Sequence, residues 1–129
     1  MREILFRGLD IRGIWHEGLL AHVGNAWYIS NSAGIATAFE VIPASIGQFT
    51  GLYDKNGKRI FEGDICQIKD ISYIDDTPFV VEWNNEYSGW FWRDIASADA
   101  LTPDIANMAK AIGNIHDNPE LLKGGEGDG

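Results

Sequence analysis

Three histidines and one cysteine are the side chains best suited to bind a transition metal: His16, His22, Cys66 and His116. Zinc sites usually draw ligand pairs from short spacings such as Cys-x-x-Cys or His-x-x-x-His, and this sequence contains neither. His16 and His22 are six residues apart, which separates them by about 20 Å on a strand. We therefore assign no metal, and we interpret the histidines as surface or half-buried residues and Cys66 as a buried apolar thiol.

The segment Leu52–Gly63 partly matches a calcium-binding loop, because it contains Asp-x-Asn-Gly followed by a glutamate. In an EF-hand alignment its first and last residues should be carboxylates, whereas here they are leucine and glycine. The Asn56-Gly57 pair is instead typical of a tight hairpin turn, which needs positive φ values. We predict a hairpin turn over Asp54–Gly57 without a bound cation.

Two carboxylate pairs could serve general acid–base catalysis, Glu62 with Asp64 and Asp75 with Asp76. Any acidic chain contains such pairs, and catalysis also needs a pocket that holds them near the reacting atoms. Around Gly63 we predict a structural turn that favours glycine, with the flanking carboxylates solvated or accepting backbone N–H groups. The sequence also lacks a G-x-S-x-G elbow and the common glycine-rich nucleotide loops. We therefore name no catalytic and no cofactor-binding residue.

Five aromatic residues lie close together in one short segment. They are Trp83, Tyr87, Trp90, Phe91 and Trp92. On a strand Trp90 and Trp92 share one face while Phe91 takes the other, so both faces carry a large apolar surface. One interpretation is a sheet covered on both sides. The other is an exposed platform for a protein partner, since tryptophan and tyrosine are enriched at interface hot spots. These five residues form our candidate interaction surface.

Composition and charge narrow the class of protein. The chain has 129 residues, of which 45% are hydrophobic, and this length suits one domain. Nineteen acidic residues against ten basic ones give a net charge of −9, which disfavours binding to nucleic acid. No apolar run approaches the roughly 18–20 residues of a membrane span. A single cysteine fits a reducing compartment, so we expect a cytoplasmic protein.

Fifteen glycines separate short β-branched and aromatic runs, a pattern typical of an all-β domain with many turns. The predicted strands are Ile4–Leu9, Ile14–His22, Ala26–Ser30, Ala38–Ile42, Gln48–Tyr53, Asp64–Ile74, Phe79–Asn84 and Gly89–Arg93. The stretch Asp94–Ala111 is either helical or extended, with Thr102 before Pro103 as the signal for a helix start. A short turn is predicted at Pro119–Leu122. We expect residues 124–129, a polar glycine-rich segment, to be a disordered tail.

Three blocks of the sequence resemble the YopX family of small phage and prophage proteins. They read MREILFR at residues 1–7, IGQFTGLYDKNGKRIFEGDI at 46–65 and IGNIHDNPELL at 112–122. The blocks lie in the expected order and together span nearly the whole chain. The resemblance implies a β-rich fold with no established catalytic residue and no known cofactor. It also implies a strand over Lys110–Ile115, which restricts the helix to a short turn near Thr102–Met108.

Together these observations predict a mainly β protein with one domain over residues 1–123. We expect a small SH3-like, barrel-type substructure around Lys58–Ile68 and short helical turns near the C-terminus. The expected function is that of a non-enzymatic phage accessory protein in the cytoplasm of a host bacterium. Its partner would be an unidentified host or phage protein, or a second copy of the chain. The alternative is a small carboxylate-dependent hydrolase or nucleotide-modifying enzyme that uses Glu62 and Asp64.

Overall fold

The structure is a computed structural model that describes residues 4–30, 37–72 and 74–123. Within these ranges it contains eleven strands, one short α-helix and two 3-10 turns, which confirms the mainly β class. The chain divides after Gly51 into two compact units. The single domain over residues 1–123 stays a prediction, and the tail predicted at 124–129 lies outside the described residues.

The first unit is built on an antiparallel sheet with the strand order β4-β3-β2-β1-β5. Its elements are β1 (Phe6–Leu9), β2 (Trp15–Val23), β3 (Ala26–Ser30), β4 (Ala38–Val41), a 3-10 turn (Pro43–Ser45) and β5 (Gly47–Tyr53), whose last two residues lie beyond the boundary. Ile42 donates its N–H to the carbonyl of Leu9 at 2.8 Å, which ties the end of β4 to the end of β1. Ile29, Val41 and Phe49 are buried.

The second unit holds a five-stranded antiparallel sheet with the order β10-β9-β8-β7-β11. Its elements are β6 (Arg59–Phe61), β7 (Asp64–Gln67), β8 (Phe79–Asn84), β9 (Gly89–Arg93), β10 (Ala98–Ala100), α1 (Pro103–Met108), β11 (Lys110–Asn114) and a 3-10 turn (Pro119–Lys123). Strand β7 belongs to the five-stranded sheet, whereas β6 does not. The SH3-like, barrel-type substructure around Lys58–Ile68 stays a prediction.

Seven of the eight predicted strands are found with boundaries within two residues of the prediction. The strand predicted over Asp64–Ile74 is wrong for residues 68–72 and 74, which follow the end of β7 at Gln67, while residue 73 lies outside the described residues. Gln67 pairs with Lys110, the first residue of β11, so no partner on that side continues the ladder. Asp70 then adopts a φ of 65°, which a strand does not accommodate.

The stretch Asp94–Ala111, predicted as either helical or extended, contains both helix and strand. The Thr102 hydroxyl accepts the N–H of Ile105 at 3.3 Å, so the predicted helix start is confirmed as an N-cap. The helix ends where Ala109 returns to an extended conformation, and the strand implied over Lys110–Ile115 follows as β11. Sequence reasoning missed β10, a short exposed edge strand with the sequence Ala-Asp-Ala.

The hydrophobic core of the second unit joins sheet and helix residues. Cys66 is fully buried in it, as predicted for an apolar thiol. Its buried members are Ile60, Cys66, Ile68, Phe79, Val81, Leu101, Ala106 and Ala109. Trp90 and Trp92 are partly buried and pack against this cluster. The core therefore supports two of the five aromatic residues of the candidate interaction surface.

Candidate functional site

The candidate interaction surface lies on one β-hairpin, Trp83–Trp92, which we call the aromatic hairpin. Strands β8 and β9 pair so that Trp83 faces Trp90. The Asn84 carboxamide accepts the N–H of Tyr87 at 2.9 Å, and Ser88 adopts a φ of 51°. Short polar side chains stabilise turns through such local hydrogen bonds. The turn therefore fixes the register in which the aromatic residues meet.

On one face of the hairpin the tryptophan side chains run from the core to the surface. Trp92 lies near the ring of Phe79, with 5.8 Å between centroids, and is partly buried. Trp90 contacts Trp83 edge to face, with 5.2 Å between centroids and an interplanar angle of 77°. Trp83 itself is 44% exposed, and its indole N–H donates to the Asn85 side chain at 2.8 Å. An edge-to-face contact is a favourable geometry for two aromatic rings, and together with the hydrogen bond to Asn85 it holds Trp83 in place.

The opposite face carries a second aromatic pair. The ring of Tyr87 stacks on Phe91 with 5.6 Å between centroids and an angle of 16°. Tyr87 is 68% exposed, while Phe91 is partly buried. Beside them the Arg93 guanidinium contacts both carboxylate oxygens of Glu82 at 3.1 Å. The structure thus brings all five aromatic residues together, but only Trp83 and Tyr87 are exposed among them.

The predicted hairpin turn over Asp54–Gly57 is built around a buried carboxylate. Gly57 has a φ of 80°, the positive value that the Asn-Gly pair predicts. One oxygen of Asp54 accepts the N–H groups of Asn56 and Lys58, both at 2.9 Å, and the other accepts that of Ala111 at 3.0 Å. Burial raises the pKa of Asp54, but these backbone hydrogen bonds and the charge of Lys58 together lower it below its ordinary value. Both oxygens of the Asp54 carboxylate therefore accept hydrogen bonds from backbone N–H groups.

The predicted turn at Gly63 is also present. Gly63 adopts a φ of 89° and donates its N–H to the carbonyl of Val81 at 2.8 Å, while its own carbonyl accepts the N–H of Ile115 at 2.9 Å. The neighbouring Asp64 is only 2% exposed, and its carboxylate accepts the N–H of Phe61 at 2.8 Å. Asp64 thus stabilises the backbone of this turn.

Sequence reasoning missed a buried carboxylate in the first unit, Asp10. It contacts the Nε2 atom of His16 at 2.8 Å and the guanidinium of Arg12 at 2.9 Å, and it accepts the N–H of Ile14. The hydrogen bond from His16 is the main reason that the pKa of Asp10 lies well below its ordinary value; the Arg12 and Ile14 donors add to it and burial opposes it. The only sequence signal was Asp before Ile-Arg-Gly, a common turn pattern.

Potential metal ligands do not converge in the described ranges. No three histidine, cysteine, aspartate or glutamate side chains there are grouped closely enough to hold a metal ion. His16 stacks on Phe39 with 4.0 Å between ring centroids, and His22 stacks on Trp27 at the same distance. Both side chains therefore pack against aromatic rings within the first unit.

Comparison with known proteins decides the family. The model of the YopX family, described as YopX protein, matches residues 17–123, which is most of the chain. The chain belongs to the YopX family. The match spans the second and third blocks noted in the sequence, whereas the first block, residues 1–7, lies before it. A search of curated proteins gives no match for this YopX-family chain.

A solved structure is similar to the YopX-family chain over nearly its full length. The crystal structure of protein EF1440 from Enterococcus faecalis aligns with a TM-score of 0.60 and 23% sequence identity, covering 95% of this chain and 99% of that one. Similarity at this level of identity establishes a shared fold and carries no function. Within the described residues, no helix is both long enough and apolar enough to cross a lipid bilayer.

Proposed function

We propose that this YopX-family chain is a non-enzymatic accessory protein of phage or prophage origin that binds another protein in the cytoplasm of its host. The observation that carries the proposal is the exposure of two large aromatic side chains, Trp83 and Tyr87, at the turn end of the aromatic hairpin. Large aromatic residues dominate the energy of many protein interfaces, because they bury much apolar area with few rotatable bonds.

Both exposed rings are held in place before any partner arrives. Trp83 has an edge-to-face contact with Trp90 and a hydrogen bond to Asn85, and Tyr87 stacks on Phe91. A side chain that is already ordered loses less conformational entropy on binding, so more of its contact energy appears as affinity. This preorganisation favours the interpretation of a binding surface over that of incidental exposure.

Charge favours a protein over a nucleic acid as the partner. Stacking platforms for single strands combine aromatic residues with a basic groove. Here the net charge of the chain is −9, and Arg93, directly after the aromatic hairpin, is paired with Glu82. Asp64, half of the carboxylate pair in the enzyme alternative, is buried and hydrogen-bonded to the backbone of Phe61. No observation on the described residues favours that alternative, so we do not propose it.

The test is affinity capture from a bacterial host lysate with three forms of the chain: wild type, the double variant Trp83→Ala/Tyr87→Ala, and the control Ile95→Ala. Ile95 is 74% exposed and lies outside the aromatic hairpin, so its substitution shows whether capture depends on exposed apolar surface elsewhere. We expect a protein captured by the wild type and the control to be lost with the double variant. Equal capture by all three forms would refute the proposal.

A second copy of the chain is the other protein that could cover this surface. Light scattering at micromolar concentration distinguishes the two cases. A dimer that dissociates in the double variant and persists in Ile95→Ala identifies the chain itself as the partner. A specific interface of this kind should bury at least about 1,000 Å² in total.

A further inference from the structure

The Asp54–Gly57 turn contains two neighbouring residues that can react with each other. In an asparagine-glycine pair the backbone nitrogen of glycine attacks the asparagine side chain with little hindrance, because glycine has no Cβ atom. Asparagine is one of the thermally labile residues of proteins. The chain contains eight asparagines, and among them only Asn56 precedes a glycine. Asn56 is therefore the asparagine with the highest intrinsic reactivity in this sequence.

The structure leaves this pair accessible. Asn56 and Gly57 are both exposed, and a Cβ atom built on Gly57 would meet no atom within 4 Å apart from those of its chain neighbours. The backbone N–H of Asn56 donates to the Asp54 carboxylate, whereas its side-chain amide makes no hydrogen bond to the described residues. The side chain is therefore free to rotate towards the Gly57 nitrogen, and water reaches both residues.

The other asparagines lack this combination. Three of them accept hydrogen bonds through their side-chain oxygens: Asn84, Asn85 and Asn114. Asn118 precedes a proline, which has no N–H and cannot act as the nucleophile. Asn25 is exposed and its side-chain amide makes no hydrogen bond to the described residues, but it precedes an alanine. Asn25 therefore serves as an internal comparison that isolates the effect of the glycine.

We propose that Asn56 is a site of spontaneous deamidation in the folded chain. The Gly57 nitrogen loses its proton to solvent and forms a bond to Cγ of Asn56, while the bond from Cγ to Nδ2 breaks. Nδ2 takes up one proton from solvent and leaves as ammonia. Water then adds to either carbonyl of the cyclic imide and restores the N–H, which yields aspartate or isoaspartate at residue 56. Water is the only co-reactant, and nothing is oxidised or reduced.

The turn sets the rate of this reaction. The Gly57 N–H donates to the carbonyl of Asp54 at 3.0 Å. This hydrogen bond must open before the nitrogen can attack, so the folded chain reacts through local opening of the turn. The net contribution of one such hydrogen bond corresponds to a factor of about two to ten in an equilibrium constant. We therefore expect deamidation to be slower in the folded chain than in the unfolded chain by about this factor.

The products act on the hydrogen bonds of Asp54. One oxygen of its carboxylate accepts the N–H groups of Asn56 and Lys58, both at 2.9 Å. Isoaspartate places an additional methylene in the main chain between these two donors, so the same oxygen can no longer accept both. Both products also add a negative charge beside the buried carboxylate. Because the other oxygen of Asp54 accepts the N–H of Ala111, isoaspartate weakens the link between the turn and β11.

The reaction is tested by ageing the full chain in mildly alkaline buffer, in its folded state and in guanidinium chloride. Peptide mapping by mass spectrometry measures the exchange of amide for acid at each asparagine over time. We expect conversion at residue 56 in the folded chain, about two- to tenfold more slowly than in the denatured chain. At residue 25 conversion should be at least about tenfold slower than at residue 56, because the Cβ atom of alanine hinders the attack.

Two variants separate the modification from general ageing. Asn56→Gln keeps an amide but would need a larger ring, so residue 56 should stay unmodified over the same period. Nuclear magnetic resonance follows hydrogen exchange of the Ala111 N–H in each sample. We expect exchange about threefold faster or more in the isoaspartyl molecules of the aged wild type, and no change in aged Asn56→Gln. Fresh Asn56→Asp carries the added charge without the methylene and should exchange more slowly than the isoaspartyl form.

Three results would overturn the proposal. The first is an intact Asn56 in the folded chain when most of the denatured chain has reacted. The second is equal conversion at residues 25 and 56. The third is the same exchange rate of the Ala111 N–H in the isoaspartyl form and in the fresh wild type. None of these results depends on Trp83 or Tyr87, so they leave the proposed protein-binding function untouched.

Discussion

The carboxylate of Asp54 accepts the backbone N–H of Ala111 at 3.0 Å, although 57 residues separate the two along the chain. The neighbouring Lys55 donates its own N–H to the carbonyl of Ala109 at 2.9 Å. These two hydrogen bonds join the Asp54–Gly57 turn to the backbone that leads from α1 into β11. Asp54 is only 4% exposed, so water cannot easily replace its oxygens as acceptors.

Replacing Asp54 should therefore destabilise the second unit. We expect Asp54→Ala to lower the free energy of unfolding by about 2–4 kcal/mol, because three backbone donors lose their acceptor. Urea denaturation followed by tryptophan fluorescence measures this. Asp76→Ala is the matched control, since that residue is exposed and its carboxylate makes no hydrogen bond within the described residues. An equal effect of both substitutions would contradict the role given to Asp54.

The lowered pKa of Asp10 predicts a dependence of stability on pH. Its folded-state pKa lies below the ordinary value of 3.8, so its ionised form is favoured by folding. The stability that Asp10 contributes is fully present above pH 3.8 and is lost as the pH falls towards the folded-state value. We expect the difference in unfolding free energy between wild type and Asp10→Asn to be largest near neutral pH and to shrink in acid. A difference that stays constant between neutral pH and strong acid would exclude this linkage.

The positive φ of Gly63 predicts that a side chain is tolerated poorly there. Gly63→Ala should lower the free energy of unfolding by about 1 kcal/mol or more, because L-residues with a Cβ atom rarely adopt this conformation. Gly89→Ala provides the control, since Gly89 has no positive φ and an added Cβ would have its nearest contact at 3.8 Å. Thermal melting of the two variants compares them directly. Equal melting temperatures would show that the turn accommodates alanine.

Two tryptophans of the aromatic hairpin should differ in what they stabilise. Trp90 packs against the buried core of the second unit, whereas Trp83 is 44% exposed and makes an edge-to-face contact with Trp90. We expect Trp90→Ala to lower the free energy of unfolding by about 2–4 kcal/mol and Trp83→Ala by about 1 kcal/mol. Chemical denaturation of each variant checks this. If Trp83→Ala proves the more destabilising, its ring serves the fold rather than a partner.

The sequence by itself determined features that depend on local backbone chemistry. Asn56-Gly57 predicts a turn with positive φ because few residue pairs adopt that conformation as readily, and Thr102 before Pro103 predicts a helix start because both residues suit its first turn. The mainly β class follows from frequent glycines between β-branched runs. The strand-like context of Cys66, between Ile65 and Gln67-Ile68, predicts a buried thiol, and the structure confirms it.

Only the tertiary structure decided which of these pieces meet. Alternation along a strand assigns side chains to two faces but does not say what covers each face. The spacing of the aromatic residues along the sequence therefore does not predict that Trp83 is exposed while Trp90 packs against the core. Strand β7 ends at Gln67 because its partner β11 begins opposite that residue. The two paired residues are more than 40 positions apart in the sequence, so local sequence patterns do not predict this end. The contact of Asp10 with His16 likewise arises from residues that folding brings together, and hydropathy or motif patterns along the chain do not encode such distances.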